Sequence, residues 1–108
     1  MAIAWFIEGF AEKYGLKNSL ILSVICRYAS QKNDNNIGIC MNSLSKKFWY
    51  LSKEQLRDGI EQLKIAGSIV GQRKMGEFSR EIYYMLHSEI LKYYLNEYSL
   101  SINKVILN

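Results

Sequence analysis

Proline is absent from the 108 residues, so no ring interrupts a helix or strand, and the seven glycines supply the chain breaks. Histidine occurs once, at His87, and cysteine twice, at Cys26 and Cys40. Neither cysteine belongs to a CxxC pair, so no zinc set can be assembled and no metal is expected. Both sit in apolar runs and read as buried, reduced thiols. A single histidine also removes most acid–base and nucleophile arrangements. With no glycine-rich phosphate loop and no carboxylate pair in an apolar setting, the chain is expected to be neither an enzyme nor a cofactor binder. Long apolar runs are lacking as well. Leu20 to Cys26, broken by Ser23, is far too short to span a bilayer. The first residues, Met1-Ala-Ile-Ala-Trp-Phe, carry no basic start and meet Glu8 at once, unlike a signal peptide. The expectation is a soluble, cytoplasmic protein without a membrane partner.

What is present is an ordinary globular composition, 49% hydrophobic and 22% charged, which argues against disorder. The length suits one domain over residues 1–108. The net charge is +4, and its placement matters more than its size. Between Lys46 and Arg80 lie Lys46, Lys47, Lys53, Arg57, Lys64, Arg73, Lys74 and Arg80, against Glu54, Asp58, Glu61 and Glu77. Elsewhere the signs balance, so the whole excess falls in the middle third, as a polyanion-binding surface requires.

Ile3, Phe6, Ile7, Phe10, Ala11 and Tyr14 recur at helical spacing and predict an N-terminal helix over 1–15, closed by Gly15. A second helix is expected over Lys17–Ser30, capped by Asn18 or Ser19. It is apolar nearly all round and reads as the central core helix. The polar run Gln31–Asn36 predicts a loop and Ile37–Met41 a short strand. Asn42 is expected to cap a short helix with Leu44, Phe48 and Trp49 inward. Ser52-Lys-Glu-Gln55 fits a capping box, opening a helix that buries Leu56, Ile60 and Leu63 and ends at Gly67. Gly59 lies on that inner face, where another helix must come close. Ser68–Lys74 and Phe78–Met85 read as two strands joined by Met75-Gly76-Glu77. The second is irregular enough to be buried on both faces. Ser88–Leu100 predicts a helix with Ile90, Leu91, Tyr94, Leu95 and Tyr98 inward, and Ser101–Asn108 reads either as its extension or as a strand.

The fold class expected is mainly α with a small β-hairpin wing, a winged helix-turn-helix with its core over 16–86 and a C-terminal helix and tail over 87–108. Leu44 to Val70 resembles the winged-helix pattern of bacterial transcription regulators. It also resembles that of the N-terminal DNA-binding domains of phage and plasmid replication initiators and replisome organisers. Tyr14 to Leu22 and Phe78 to Met85 are similar to the start of the first core helix and to the strand after the wing in the second group. The resemblance implies sequence-specific binding of double-stranded DNA in transcription regulation or replication of a mobile element. Lys53, Gln55 and Arg57 are then placed to read bases. Lys46, Lys47, Arg73, Lys74 and Arg80 suit phosphates, with Lys64 on the same flank as Lys53 and Arg57. Glu54, Asp58 and Glu61 point outward between them and oppose phosphate. They and the surplus aromatics Tyr83, Tyr84, Tyr93, Tyr94 and Tyr98 favour a second expectation, a module that binds a host protein. Together with Ile102, Val105, Ile106 and Leu107 the aromatics also suggest a homodimer through the terminal helices. Trp49 and Tyr50 suit either the core or stacking on nucleic acid, and His87 a capping or surface position.

Overall fold

Helices take up most of the chain in a computed structural model that describes residues 2–34, 36–74, 81–97 and 102–107. In order the elements are β1 (Ala2–Ile7), α1 (Glu8–Tyr14), α2 (Leu16–Lys32), β2 (Asn36–Cys40), α3 (Met41–Lys47), α4 (Lys53–Ile65), β3 (Ile69–Lys74), β4 (Glu81–Leu86), α5 (Ser88–Glu97) and β5 (Ile102–Leu107). The chain is thus mainly helical with a small three-stranded antiparallel sheet, ordered β2-β4-β3. No helix among the described residues is long and apolar enough to cross a membrane.

Helix α2 occupies the centre, as its all-round apolarity demands. Ile21, Leu22, Ile25, Cys26 and Ala29 are completely covered. It packs against β1, α1, α4, α5 and β2. Its start differs from the expected one. Gly15, at φ 83°, turns the chain from α1 into α2 in a single residue, so the helix begins at Leu16 with no side-chain cap. Asn18 and Ser19 lie inside the helix and are buried. Tertiary partners explain that position. The Ser19 hydroxyl donates to the Ile7 carbonyl at 3.3 Å, and the Ser23 hydroxyl accepts from the Ile7 N–H at 3.3 Å. Two buried hydroxyls thereby satisfy both backbone groups of a residue that is itself 1% exposed.

The expected N-terminal helix is only half helical. Ala2–Ile7 is a strand, paired antiparallel with β5 from Ala2↔Leu107 to Ile7↔Ile102. A short apolar run reads equally as strand or helix from local spacing, and its partner lies at the far end of the sequence. The open choice for Ser101–Asn108 resolves as strand for Ile102–Leu107. Much of the terminal apolar sequence expected to await a partner therefore pairs within the chain. The C-terminal helix stops at Glu97 and, of its expected inner residues, Tyr94 is buried while Leu95 is 56% exposed. Tyr98 lies outside the described residues.

In the three-stranded sheet β4 is central, yet it is not covered on both faces. Tyr84 and Leu86 are buried whereas Met85 is 40% exposed, the alternation of a half-buried strand. A bulge between Ile69 and Gly71 brings β3 into register with β4. The expected turn Met75–Glu77 and the start of the following run lie outside the described residues.

Gly59 meets α2 as its position on the inner face implies. A Cβ there would stand 2.6 Å from Cδ1 of Ile21 and 3.0 Å from Oδ1 of Asn18. Alanine gains about 1 kcal/mol over glycine in a helix, but overpacking a filled site costs about 1–3 kcal/mol. Because Ile21 is fully buried, the clash prevails. Gly59→Ala is expected to lower stability by about 1 kcal/mol in a urea titration, and an unchanged midpoint would show that Ile21 has room to turn. Burial also holds the Cys26 thiol well above its ordinary pKa, so it stays neutral in the folded chain. In the unfolded chain it ionises near about 8.5. The stability it contributes is complete below that pH and is lost above it, at about 1.4 kcal/mol per pH unit. Alkylation at pH 8, read by peptide mass mapping, is expected to modify Cys26 only after urea is added.

Candidate nucleic-acid interface

Helix α4 begins as Ser52-Lys-Glu-Gln55 predicts. Ser52 is extended, its hydroxyl accepts from the Gln55 N–H at 3.0 Å, and Oε1 of Gln55 accepts from the Ser52 N–H at 2.8 Å. The capping box is complete. It also engages Gln55, because pairing with adenine needs both ends of the amide and the oxygen is already occupied. The far end closes just as firmly. Gly67, at φ 85°, donates to Lys64 O and Ser68 N–H donates to Leu63 O, both at 3.0 Å. This is a Schellman motif, and it passes the chain straight into β3. Leu56, Gly59, Ile60 and Leu63 form the buried face, as expected.

Before α4 stands α3, anchored by Leu44 and Phe48, each 2% exposed. The helix starts at Met41, so Asn42 lies inside it rather than at its cap. Asn42 Oδ1 instead accepts from Lys53 Nζ at 3.2 Å, joining the first turns of the two helices. Trp49, expected inward, is 58% exposed in the turn between them. Tyr50 is half-buried, and burial pushes its hydroxyl pKa up. Phe48 fills the site that both could have competed for.

At about 100° per residue, Lys53, Arg57 and Lys64 share one flank of α4, spread over about 16 Å of axis. Their states differ. Lys53 is tied to Asn42, and Lys64 pairs with Glu61 at 3.2 Å. Among the described residues Arg57 and Lys46 make no hydrogen bond or ion pair, and both are exposed. Lys47 lies over the Tyr28 ring, 5.3 Å from its centroid. Arg73 and Lys74 stand on β3 opposite Tyr83 and Ile82, and nothing is described of their side chains. Arg80 lies outside the described residues.

The acids on α4 are not bare. Asp58 pairs with Lys17 of α2 at 3.2 Å and also accepts from Gln62 Nε2 at 3.0 Å. Gln62 Oε1 in turn accepts from Nδ2 of Asn18. Glu61 pairs with Lys64, and its charge adds to burial in raising the Tyr84 hydroxyl pKa. These pairs are exposed and each contributes at most about 1 kcal/mol. Their effect on the surface field is larger than their effect on stability, because two of three negative charges have a cation beside them. Glu54 alone of the three has no such partner among the described residues. Lys17 and Asn42 were invisible as members of this surface, since both act across elements far apart in sequence.

His87 lies at the junction of β4 and α5. Its Nδ1 accepts from the Glu89 N–H at 3.1 Å, a capping role. Among the described residues no group of three or more His, Cys, Asp or Glu is placed to hold a metal ion. Comparison with models of known families, with characterised proteins and with solved structures returns no match for this chain.

The reciprocal bonds of Ser52 and Gln55 imply coupling. Ser52→Ala is expected to cost about 1 kcal/mol. In a double-mutant cycle Gln55→Ala should cost clearly less in that background than alone, and strictly additive losses would contradict the box.

Proposed function

We propose that the chain is a winged helix-turn-helix domain that binds double-stranded DNA, in transcription regulation or replication of a phage or plasmid. In this reading α4 is the recognition helix, α3 its brace, and the β3–β4 pair the base of the wing. The observation that carries it is the tie between the helix pair and one sheet. Strand β2 leads directly into α3, α4 leads directly into β3, and β4 lies between β2 and β3. A helix held at both ends in this way presents its outer flank rigidly, with the hairpin alongside.

Arg57 has a free guanidinium one turn into α4 and is the residue placed to read a guanine edge. Lys46, Lys47 and Lys53 suit phosphates, together with Arg73, Lys74 and Arg80. Lys64 is diverted to Glu61, and Gln55 to the cap, so both stand behind Arg57 and Lys53 as contacts. Dimerisation through the terminal helices belongs to the same reading, with α1 and α5 now the helices concerned.

One observation favours a second reading, a module that binds a host protein. Ile65 at the end of α4 is 80% exposed and shares the outward face with the unpaired Glu54. Partners that survive nuclease digestion in a pull-down, and are lost with Ile65→Lys, would support it.

A salt titration with duplex DNA tests the first reading. Each phosphate contact contributes a slope of about −0.9 in log K against log salt. Lys53→Ala with Arg57→Ala is expected to weaken binding at least tenfold and to flatten the slope by about 2. Binding no tighter than micromolar at low salt, and unchanged in the double variant, would overturn it.

A further inference from the structure

Trp49 is the one aromatic of the α3–α4 turn that the core does not take up, with 58% of its surface exposed. It is nevertheless held firmly. Its ring meets Tyr50 at 5.5 Å and 88°, and Tyr50 meets Phe48 at 5.9 Å and 73°. Phe48 is 2% exposed, so a chain of edge-to-face contacts runs from the core to the surface. The turn backbone is fixed as well, with Phe48 N–H donating to Leu44 O and Leu51 N–H to Phe48 O, each at 2.9 Å. A perpendicular contact with one neighbour occupies at most one face of the indole. The other is a rigid flat surface turned to solvent.

The charge around it is of one sign. From Lys46 to Lys53 the chain carries Lys46, Lys47 and Lys53 and no acid. Lys46 has no partner among the described residues, and Lys47 and Lys53 are held by a ring face and an amide oxygen, which leave their charges uncompensated. An apolar protein surface has no use for three ammonium groups around its anchor. A flat π surface amid cations suits a ligand that is both planar and anionic.

We propose that Trp49 is a stacking platform for an unpaired nucleobase, with Lys46, Lys47 and Lys53 holding the phosphates on either side. Within a duplex each base is already stacked above and below, so the platform selects single strands, frayed ends or bulges. This goes beyond the duplex reading and does not require α4 to enter a groove.

The test uses the whole chain with a labelled twelve-residue oligothymidylate and, in parallel, a duplex of equal length. The single strand is expected to bind and to quench the emission that Trp49→Phe removes. Trp49→Ala should weaken single-strand binding about tenfold or more, and Trp49→Phe, which keeps a π face, by less than about threefold. Trp49→Ala binding the single strand as the unaltered chain does, or unchanged emission, overturns the proposal. Quenching by polyglutamate equal to that by the oligonucleotide overturns it too, since charge alone would then suffice. The exposed position predicts an unaltered circular dichroism spectrum for Trp49→Ala, and if that variant unfolds, the quenching in the unaltered chain decides. Duplex bound with Trp49 silent removes the platform and spares the duplex reading. Single-strand binding that depends on Trp49, without duplex binding, does the reverse.

Discussion

Helix α4 can lie against α2 only because residue 59 has no side chain, and the arrangement of the polar surface follows from that approach. With the helices this close, Lys17 reaches Asp58 and Asn18 reaches Gln62 across the seam. One rim of α4 is thereby joined to the central helix. The opposite flank, with Lys53 and Arg57, is left to solvent. A wider seam would leave Asp58 and Gln62 without these partners. The close approach therefore does two things, filling the core and deciding which charges on α4 are compensated.

The same economy governs the rest of the helix. Its two ends are closed by its own residues, Ser52 with Gln55 at the start and Gly67 with Ser68 at the end. Closing the ends locally frees the flanks for other contacts but uses Gln55 in doing so. Charge counts along a sequence overstate what such a surface offers. Eight basic residues between Lys46 and Arg80 become a smaller set once Lys64 is paired. Three apparent acids likewise become one without a partner.

Much of the helical core was legible because its determinants are local. The capping box, the Gly67 exit, the inner face of Leu56, Ile60 and Leu63, and the apolar wrap of α2 all follow from spacing within a few residues. What was illegible depended on distant partners. Ala2–Ile7 is apolar at a spacing that suits a helix, and it becomes a strand because Ile102–Leu107 lies beside it. Asn18 and Ser19 have the chemistry of caps, and they are buried because Ile7 and Gln62 supply them with partners. Trp49 differs from Phe48 by one position, and only the packed turn shows which of the two rings the core accommodates.

The sequence by itself determined the helix pair, its caps, the glycine where two helices touch and the location of the positive excess. Each rests on backbone chemistry or side-chain periodicity that acts over a turn or two. The tertiary structure decided the strand pairing of the termini, the partners of Asp58 and Glu61, and the exposure of Trp49. Those outcomes depend on which surfaces meet, and a competition among distant groups for the same neighbour is settled only when the chain is packed.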